Sequence, residues 1–298
     1  MATASAQDVC RDMSSAASGE PSSWTGTSGG QEWAIHHGSA LDVLRGFDSE
    51  SVDCIVTSPP YFWLRDYGVE GQIGLEDTVE DYVSALLEIM AEAHRVLKRP
   101  GLAFLNLGDT YYSGKGKSHG TDAKSSKRRF GLRAVDKSGG LGLGLQRKSL
   151  IGIPWRVALA LAEHGWVLRS AIIWHRTKGL REFVRDRPCR TYEYVFMLAR
   201  SRRYFFAKNE VPGEIEEDLW TIRAQPRSTG GLPTAPFPDA LVRRCLRIGC
   251  PAGGLVLDPF VGSGTTVRVA LDTGRSGIGI DLNATFCRYA ARTLQARQ

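Results

Sequence analysis

The last part of the chain constrains the fold most. Leu255 to Leu257 is a short apolar run, and Asp258-Pro259-Phe260-Val261-Gly262-Ser263-Gly264-Thr265-Thr266 follows it as a glycine-bearing turn. Helical spacing then runs from Thr266 to Thr273, a second β-rich run covers Ser276 to Asp281, and an amphipathic pattern covers Thr285 to Ala296. Strand, helix, strand and helix with connections this short form a crossover between parallel strands of one sheet, and such a sheet needs helices over its faces. The chain is therefore expected to be α/β.

The preceding sequence fits the same architecture. Strands are expected at Trp33 to His36, Val52 to Val56 and Leu102 to Leu107, with β-rich runs at Trp166 to Trp174 and Tyr192 to Leu198. Val79, Tyr82, Val83, Leu86, Leu87, Met90, Ala93, Val96 and Leu97 recur at three- and four-residue spacing until Pro100-Gly101 stops them, which predicts an amphipathic helix. Trp155 to His164, entered through Pro154, and Pro238 to Ile248 are two further helices. Residues 1–30 are small and polar without periodicity and are expected to be a disordered tail. Residues 31–298 then form a single domain, with a basic insertion at 113–150 and a short variable region at 199–236.

No apolar window is long enough to span a bilayer and the start of the chain has no signal-type apolar stretch, so an intracellular protein without a membrane partner is expected. The six cysteines are scattered, with no Cys-x-x-Cys and no histidine at ligand spacing, which predicts reduced thiols and no metal site. Charge is more informative. The net +6 is concentrated in segments 113–150 and 169–208, each net +8, on a remainder that is net −10. Two basic zones on an acidic body suit a polyanionic partner, although a solvated charged face would carry the same composition.

The Asp258 to Thr266 segment places glycines and a helix start next to a strand end, where backbone N–H groups face an anionic group. Asp258 at that strand end would repel a pyrophosphate, and it would suit a ligand carrying both an ammonium and a carboxylate. The P-loop pattern fails because Gly264-Thr265-Thr266 lacks its lysine. Asp281, ending the next strand, can accept both hydroxyl hydrogens of a ribose. An amino acid joined to a ribose is S-adenosylmethionine.

A second motif, Thr57-Ser58-Pro59-Pro60-Tyr61, ends the Val52 strand. Consecutive prolines offer no N–H to a ladder and hold the preceding residues extended, so the carbonyls of Ser58 and Pro59 beside the Ser58 hydroxyl make a cluster of acceptors. Such a cluster suits an exocyclic amine, and Tyr61 offers a ring on which a base can stack.

The two motifs together resemble those of the amino-methyltransferases of DNA, which carry a (D/N/S)PP(Y/F) motif and a glycine-rich cofactor motif. The resemblance runs from about Trp33 to the C-terminus, and GLAFLNLGDTYY at 101–112, IPWRVALALAEHGW at 153–166, Trp174-His175, YEYVFML at 192–198 and FPDAL at 237–241 match in order. With Ser58-Pro59-Pro60-Tyr61 ahead of the glycine loop, the order is similar to the circularly permuted β group. The resemblance implies a Rossmann-like S-adenosylmethionine-dependent methyltransferase fold, mostly parallel with helices on both faces and with permuted motif order.

It further implies double-stranded DNA as substrate and methyl transfer to an exocyclic amino group of a flipped base. The serine form of the tetrapeptide points to cytosine N4, with adenine N6 as the alternative. An RNA or protein-glutamine amino-methyltransferase and a catalytically silent nucleic-acid-binding subunit are the remaining readings. Residue by residue, Ser58, Pro59, Pro60 and Tyr61 would be catalytic. Asp258, Phe260, Gly262, Gly264, Thr265, Thr266, Asp281, Ser39 and Phe237 would hold the cofactor. Ser39 stands where relatives often carry an aspartate that meets the cofactor adenine. Lys124, Lys127, Arg128 and Arg129 of the insertion are expected to grip DNA phosphates. Pro188-Cys189 is similar to the nucleophile of cytosine C5 methyltransferases but follows the wrong strand. Asp53 and Asp66 are expected to be turn or cap carboxylates, and Asp109 ends a strand on the Ser58 edge. Oligomeric state is left open, a homodimer included.

Overall fold

In the computed structural model the described residues are 22–112, 145–146, 148–177, 184–208, 217–224 and 237–297. They form one nine-stranded sheet in the order β1-β2-β9-β8-β3-β4-β6-β5-β7. The strands are β1 Ser23–Ser28, β2 Gln31–His37, β3 Val52–Thr57, β4 Leu97–Leu107, β5 Val167–Thr177, β6 Tyr192–Ala199, β7 Leu219–Arg223, β8 Leu255–Asp258 and β9 Ser276–Asp281. The helices are α1 Ala40–Arg45, α2 Val79–Val96, α3 Ile153–Glu163, α4 Asp239–Gly249, α5 Thr265–Asp272 and α6 Ala284–Gln295.

The sheet's alternation sorts its side chains between two faces. Val52 and Ile55 of β3, with Ala103 and Leu105 of β4, join the cluster that buries α1, α2 and α3. Their neighbours Cys54, Val56, Leu102 and Phe104 join α4 and α5 on the other face. Trp33 and Ile35 extend that second face toward α5 and α6. Helices on both faces of a mostly parallel sheet are what the terminal crossover requires. Among the described residues no helix is long and apolar enough to cross a membrane.

Topology gathers one edge of the sheet. β2, β9, β8, β3 and β4 run parallel, so Asp281, Asp258 and Thr57 all finish at the same edge. Because β6 is antiparallel to β4, its first residues return to that edge. β5 is antiparallel to β6 and β7 is parallel to β5, so the ends of β5 and β7 arrive there too. The adjacency of β8 and β3, about two hundred residues apart in sequence, brings the glycine turn beside the Pro-Pro turn.

Four features differ from the sequence expectations. The presumed tail contains β1, which pairs antiparallel with β2 through Gly29-Gly30, both at positive φ (58° and 78°), the geometry of a two-residue hairpin turn. Trp24 of β1 packs on the α5–α6 cluster, and this anchors a strand whose small polar residues gave no periodic signal. Helix α1, unforeseen, is only six residues long. It is held by Arg95, whose guanidinium donates to Leu44 O (2.8 Å) and Phe47 O (2.9 Å). β4 starts at Leu97 and bulges between its pairings Val52↔Leu97 and Cys54↔Leu102, which accommodates Pro100. The variable region contains β7, whose alternating exposed and buried residues place Trp220 and Ile222 in the core.

The ends of the basic insertion meet at one point. Tyr112 N donates to Ser149 O, Lys148 N to Tyr112 O and Ile151 N to Thr110 O. Lys124, Lys127, Arg128 and Arg129 lie outside the described residues.

Candidate active site

A cavity of about 790 Å³ opens along this sheet edge. Ser58, Pro59, Pro60 and Tyr61 line one side of it, and Asp258, Phe260, Gly262, Ser263, Thr265 and Asp281 line the other. Ser39 at the start of α1 and Phe237 before α4 complete the second side. The volume falls in the range of small-molecule and cofactor sites.

The glycine turn works through backbone geometry. Gly262 adopts φ 52° and donates its N–H to Asp281 Oδ2 at 2.9 Å, while Asn283 N donates to Asp281 Oδ1 at 2.8 Å. Burial pushes the Asp281 carboxyl up to about 6, against the pull of those two N–H donors, and the nearby Asp258 charge adds to the rise. Asp258, 2% exposed, is also pushed up to about 6 by burial. Its Oδ1 accepts Thr57 Oγ1 (2.7 Å) and Phe260 N (3.1 Å), and its Oδ2 accepts Thr266 Oγ1 (2.6 Å). A carboxylate has about four lone-pair positions, and three of these are taken, so Asp258 mainly ties the Pro-Pro turn to the glycine turn. That bracing function was not foreseen from the sequence.

Two residues expected at the cofactor are turned elsewhere. Thr266 is fully buried, donating to Asp258 and Val56 O, and faces the sheet rather than the cavity. Gly264, at φ 86°, turns the chain into α5, and a Cβ there would lie 3.0 Å from Ala290 Cβ. Its glycine serves the close approach of α5 and α6, outside the cavity lining.

On the Ser58 side the structure builds a polar cluster from four strands. Ser58 Oγ donates to Tyr61 Oη at 3.2 Å, and Tyr61 Oη lies 2.7 Å from Glu193 Oε2 and 3.2 Å from Asn106 Oδ1. Asn106 Nδ2 donates to Glu193 Oε2 (3.2 Å) and Tyr194 O (3.0 Å), and Arg176 Nη1 pairs with Glu193 Oε1 at 2.9 Å. Burial, reinforced by the Glu193 charge, holds the Tyr61 phenol well above its ordinary range, so it is a neutral donor. Gly108 makes room for this ring, since a Cβ there would come within 2.6 Å of Tyr61 Cε2. Tyr82 Oη donates to Pro60 O at 2.8 Å and fixes the second proline from below.

Glu193, Asn106, Arg176 and Gly108 were missed as site residues. Glu193 and Asn106 did leave a signal, as single polar residues inside the apolar runs YEYVFML and FLNL, where an unpartnered polar group would be costly. Arg65, Arg190 and Arg223 also line the cavity and bring it positive charge.

Asp109 turns out to cap a helix. Its carboxylate accepts Gly152 N and Ile153 N, both at 3.1 Å, at the start of α3, whose N-cap residue Gly152 has no side chain of its own to do so. Asp53 pairs with Lys98 (2.8 Å) and accepts Leu255 N, and Asp66 accepts Gly68 N, as turn and cap carboxylates do. Of the cysteines, Cys54, Cys245, Cys250 and Cys287 are buried free thiols, and Cys189 is exposed.

A mostly parallel α/β sheet with a glycine turn, two carboxylates and a hydroxyl–proline turn around one cavity suits a cofactor-dependent group-transfer enzyme. Comparison with known proteins makes this specific. Residues 52–292 match the N6_N4_Mtase family, described as DNA methylase. The chain belongs to that family. It is 41% identical over 270 residues to the Type II methyltransferase M.XycI of Xanthomonas campestris pv. cyanopsidis, covering 88% of each chain. Its fold is similar to that of the cytosine-N4-specific PvuII DNA methyltransferase, with a TM-score of 0.65 at 19% identity over 87% of this chain and 85% of that one. It is also similar to M1.HpyAVI in complex with SAM, with a TM-score of 0.57 at 18% identity over 87% and 98% of the two chains.

The protein is thus a DNA amino-methyltransferase, and its cofactor is S-adenosylmethionine. The cavity residues fit that cofactor chemically. Asp281 presents a carboxylate for hydroxyls, a Cβ at Gly262 would stand clear of every neighbour but Phe260 O at 4.0 Å, and Phe260, Phe237 and Phe286 supply apolar walls.

Proposed function

We propose that the protein methylates the N4 amino group of a flipped cytosine in double-stranded DNA, within the circularly permuted β group of amino-methyltransferases. The observation carrying this reading is the Thr57–Asp258 hydrogen bond of 2.7 Å, which fixes the Ser58 turn directly beside the glycine turn. An amine held at Ser58 is thereby set close to a cofactor held at Gly262 and Asp281. Holding two reactants in register removes much of the entropic barrier to their direct reaction.

When bound, S-adenosylmethionine supplies a sulfonium methyl group for displacement by the amine. Asp281 accepts the ribose hydroxyls, and Ser39, Phe237, Phe260, Gly262 and Thr265 enclose the remainder. Asp258 contributes by bracing, with Thr266 behind it, and Gly264 shapes the turn. The Ser58 hydroxyl and Pro59 carbonyl orient the amine, with stabilisation that grows as its nitrogen becomes positive. Pro60 keeps the turn extended, and Tyr61 offers its ring to the base. Arg65, Arg190 and Arg223 face the flanking phosphates, and Lys124, Lys127, Arg128 and Arg129 add contacts farther along the duplex.

Cytosine is favoured by the serine of the Ser58-Pro59-Pro60-Tyr61 turn, and the likeness to the cytosine-N4-specific PvuII enzyme agrees with it. Adenine N6 is the second reading. A cytoplasmic location with access to the chromosome follows from the bacterial sources of relatives such as M.XycI. The test is to incubate the protein with unmethylated bacteriophage DNA and methyl-labelled S-adenosylmethionine and to identify the modified nucleoside by mass spectrometry. N4-methylcytosine is expected, and N6-methyladenine would overturn the base assignment.

A further inference from the structure

Amino methylation leaves a proton to dispose of. As the N–C bond forms and the C–S bond breaks, the amino nitrogen gains positive charge while still carrying two hydrogens, and one of them must leave. A serine hydroxyl cannot retain it, because protonated serine is a strong acid. A hydrogen-bonded route from Ser58 to a carboxylate would resolve this.

We infer that Glu193 is the proton acceptor for the methylated amine, reached from Ser58 through the Tyr61 hydroxyl. The inference rests on the placement of the amine at Ser58. The donors already run in one direction: Ser58 Oγ donates to Tyr61 Oη (3.2 Å), which reaches Glu193 Oε2 (2.7 Å). Tyr61 has a single hydroxyl proton, and a carboxylate at 2.7 Å outcompetes the Asn106 amide oxygen at 3.2 Å for it. The amine proton passes to Ser58 Oγ, the Ser58 proton to Tyr61 Oη and the Tyr61 proton to Glu193 Oε2. One N–H bond is broken, one carboxyl O–H is formed, and Ser58 and Tyr61 are regenerated neutral. Glu193 lines the cavity and can return the proton to water after product leaves.

The surroundings of Glu193 suit this use. Arg176 of β5 pairs with Oε1 and leaves Oε2 to Tyr61, and Asn106 of β4 steadies Oε2 through its amide. Arg190 and Arg223 line the same cavity as further positive charges, and Asp109 is the other carboxylate on that side, already occupied with the α3 amides. Glu193's side chain is 12% exposed, so its charge is little screened by water. Asp258, another carboxylate lining the cavity, connects to Thr57 and Thr266 and not to Ser58.

The experiment measures single-turnover methyl transfer to unmethylated bacteriophage DNA by cofactor-loaded protein, for the wild type, Glu193→Gln, Tyr61→Phe, the double variant and Ser58→Ala. Glu193→Gln and Tyr61→Phe are each expected to slow transfer at least tenfold while S-adenosylhomocysteine affinity by calorimetry stays within about twofold. Because both cut the same route, the double variant should be no more than about twofold slower than the slower single variant. Tyr61→Phe keeps the ring and the Glu193–Arg176 pair, so it reports on the route even if Glu193→Gln folds poorly. Full activity in either single variant, or multiplying losses in the double variant, would overturn the route. Full activity in Ser58→Ala would instead overturn the placement of the amine at Ser58.

Discussion

With Asp281 at the ribose, as proposed, its buried carboxyl should make cofactor binding a titration. Held at about 6 by burial, it is about nine-tenths ionised at pH 7 and about one-tenth ionised at pH 5. Only the ionised form offers both oxygens as acceptors, since a protonated carboxyl facing ribose hydroxyls and the Gly262 and Asn283 N–H groups presents one donor among donors. Lowering the pH from 7 to 5 should therefore weaken S-adenosylhomocysteine binding about tenfold, or about 1.4 kcal/mol, with a limiting slope of one in log affinity against pH. If Asp258 also had to meet the ligand as a carboxylate, its similar value near 6 would double the slope. Its engagement with Thr57, Thr266 and the Phe260 N–H argues for a slope of one.

Isothermal calorimetry between pH 5 and 7 measures this, with circular dichroism confirming the fold at each pH. Asp281→Asn should lower affinity at pH 7 and flatten the dependence, because an amide keeps one acceptor and turns a donor toward Gly262 or Asn283. Affinity that is constant across the range in the wild-type protein would refute the reasoning. Stability of the free protein responds with the opposite sign. A carboxyl raised from its ordinary 3.8 to about 6 favours the folded state fully below about pH 4 and loses that contribution as the pH rises through 6. Cofactor binding compensates at neutral pH, so the stabilisation by ligand, read as the shift in Tm, should be larger at pH 7 than at pH 5.

Further outcomes follow from particular contacts. Gly108→Ala should push the Tyr61 ring off its seat, slowing methyl transfer at least tenfold while calorimetry shows nearly unchanged cofactor affinity, with overpacking costing about 1–3 kcal/mol in urea unfolding. Asp109→Ala should remove the cap from α3 and lower stability by about 0.5–2 kcal/mol in the same assay, leaving cofactor affinity unchanged. Replacing Lys124, Lys127, Arg128 and Arg129 together by Ala should flatten the salt dependence of DNA binding by up to about 3–4 units of log–log slope, as fluorescence anisotropy would record. An unaltered slope would return those four residues to a solvated surface.

What the sequence revealed depended on whether a residue's partners were local. The β8–α5–β9–α6 pattern was readable because each element signals its own period, and the glycine and Pro-Pro turns because they alter backbone geometry where they stand. β1 was hidden because its anchoring comes from Trp24 against helices near the other end of the chain, and α1 because Arg95, fifty residues later, holds its carbonyls. The site divides the same way. Ser58 and Asp281 could be named from their own turns, whereas the bracing by Asp258 could not, because its partner Thr57 lies 201 residues earlier. Glu193 shows the limit most clearly. A glutamate in an apolar strand signals that something must satisfy it, and only the antiparallel return of β6 beside β4 and β5 places Tyr61, Asn106 and Arg176 around it. The carboxylate that hydrogen bonds connect to Ser58 thus belongs to neither motif and stands on a strand that carries no recognisable turn of its own.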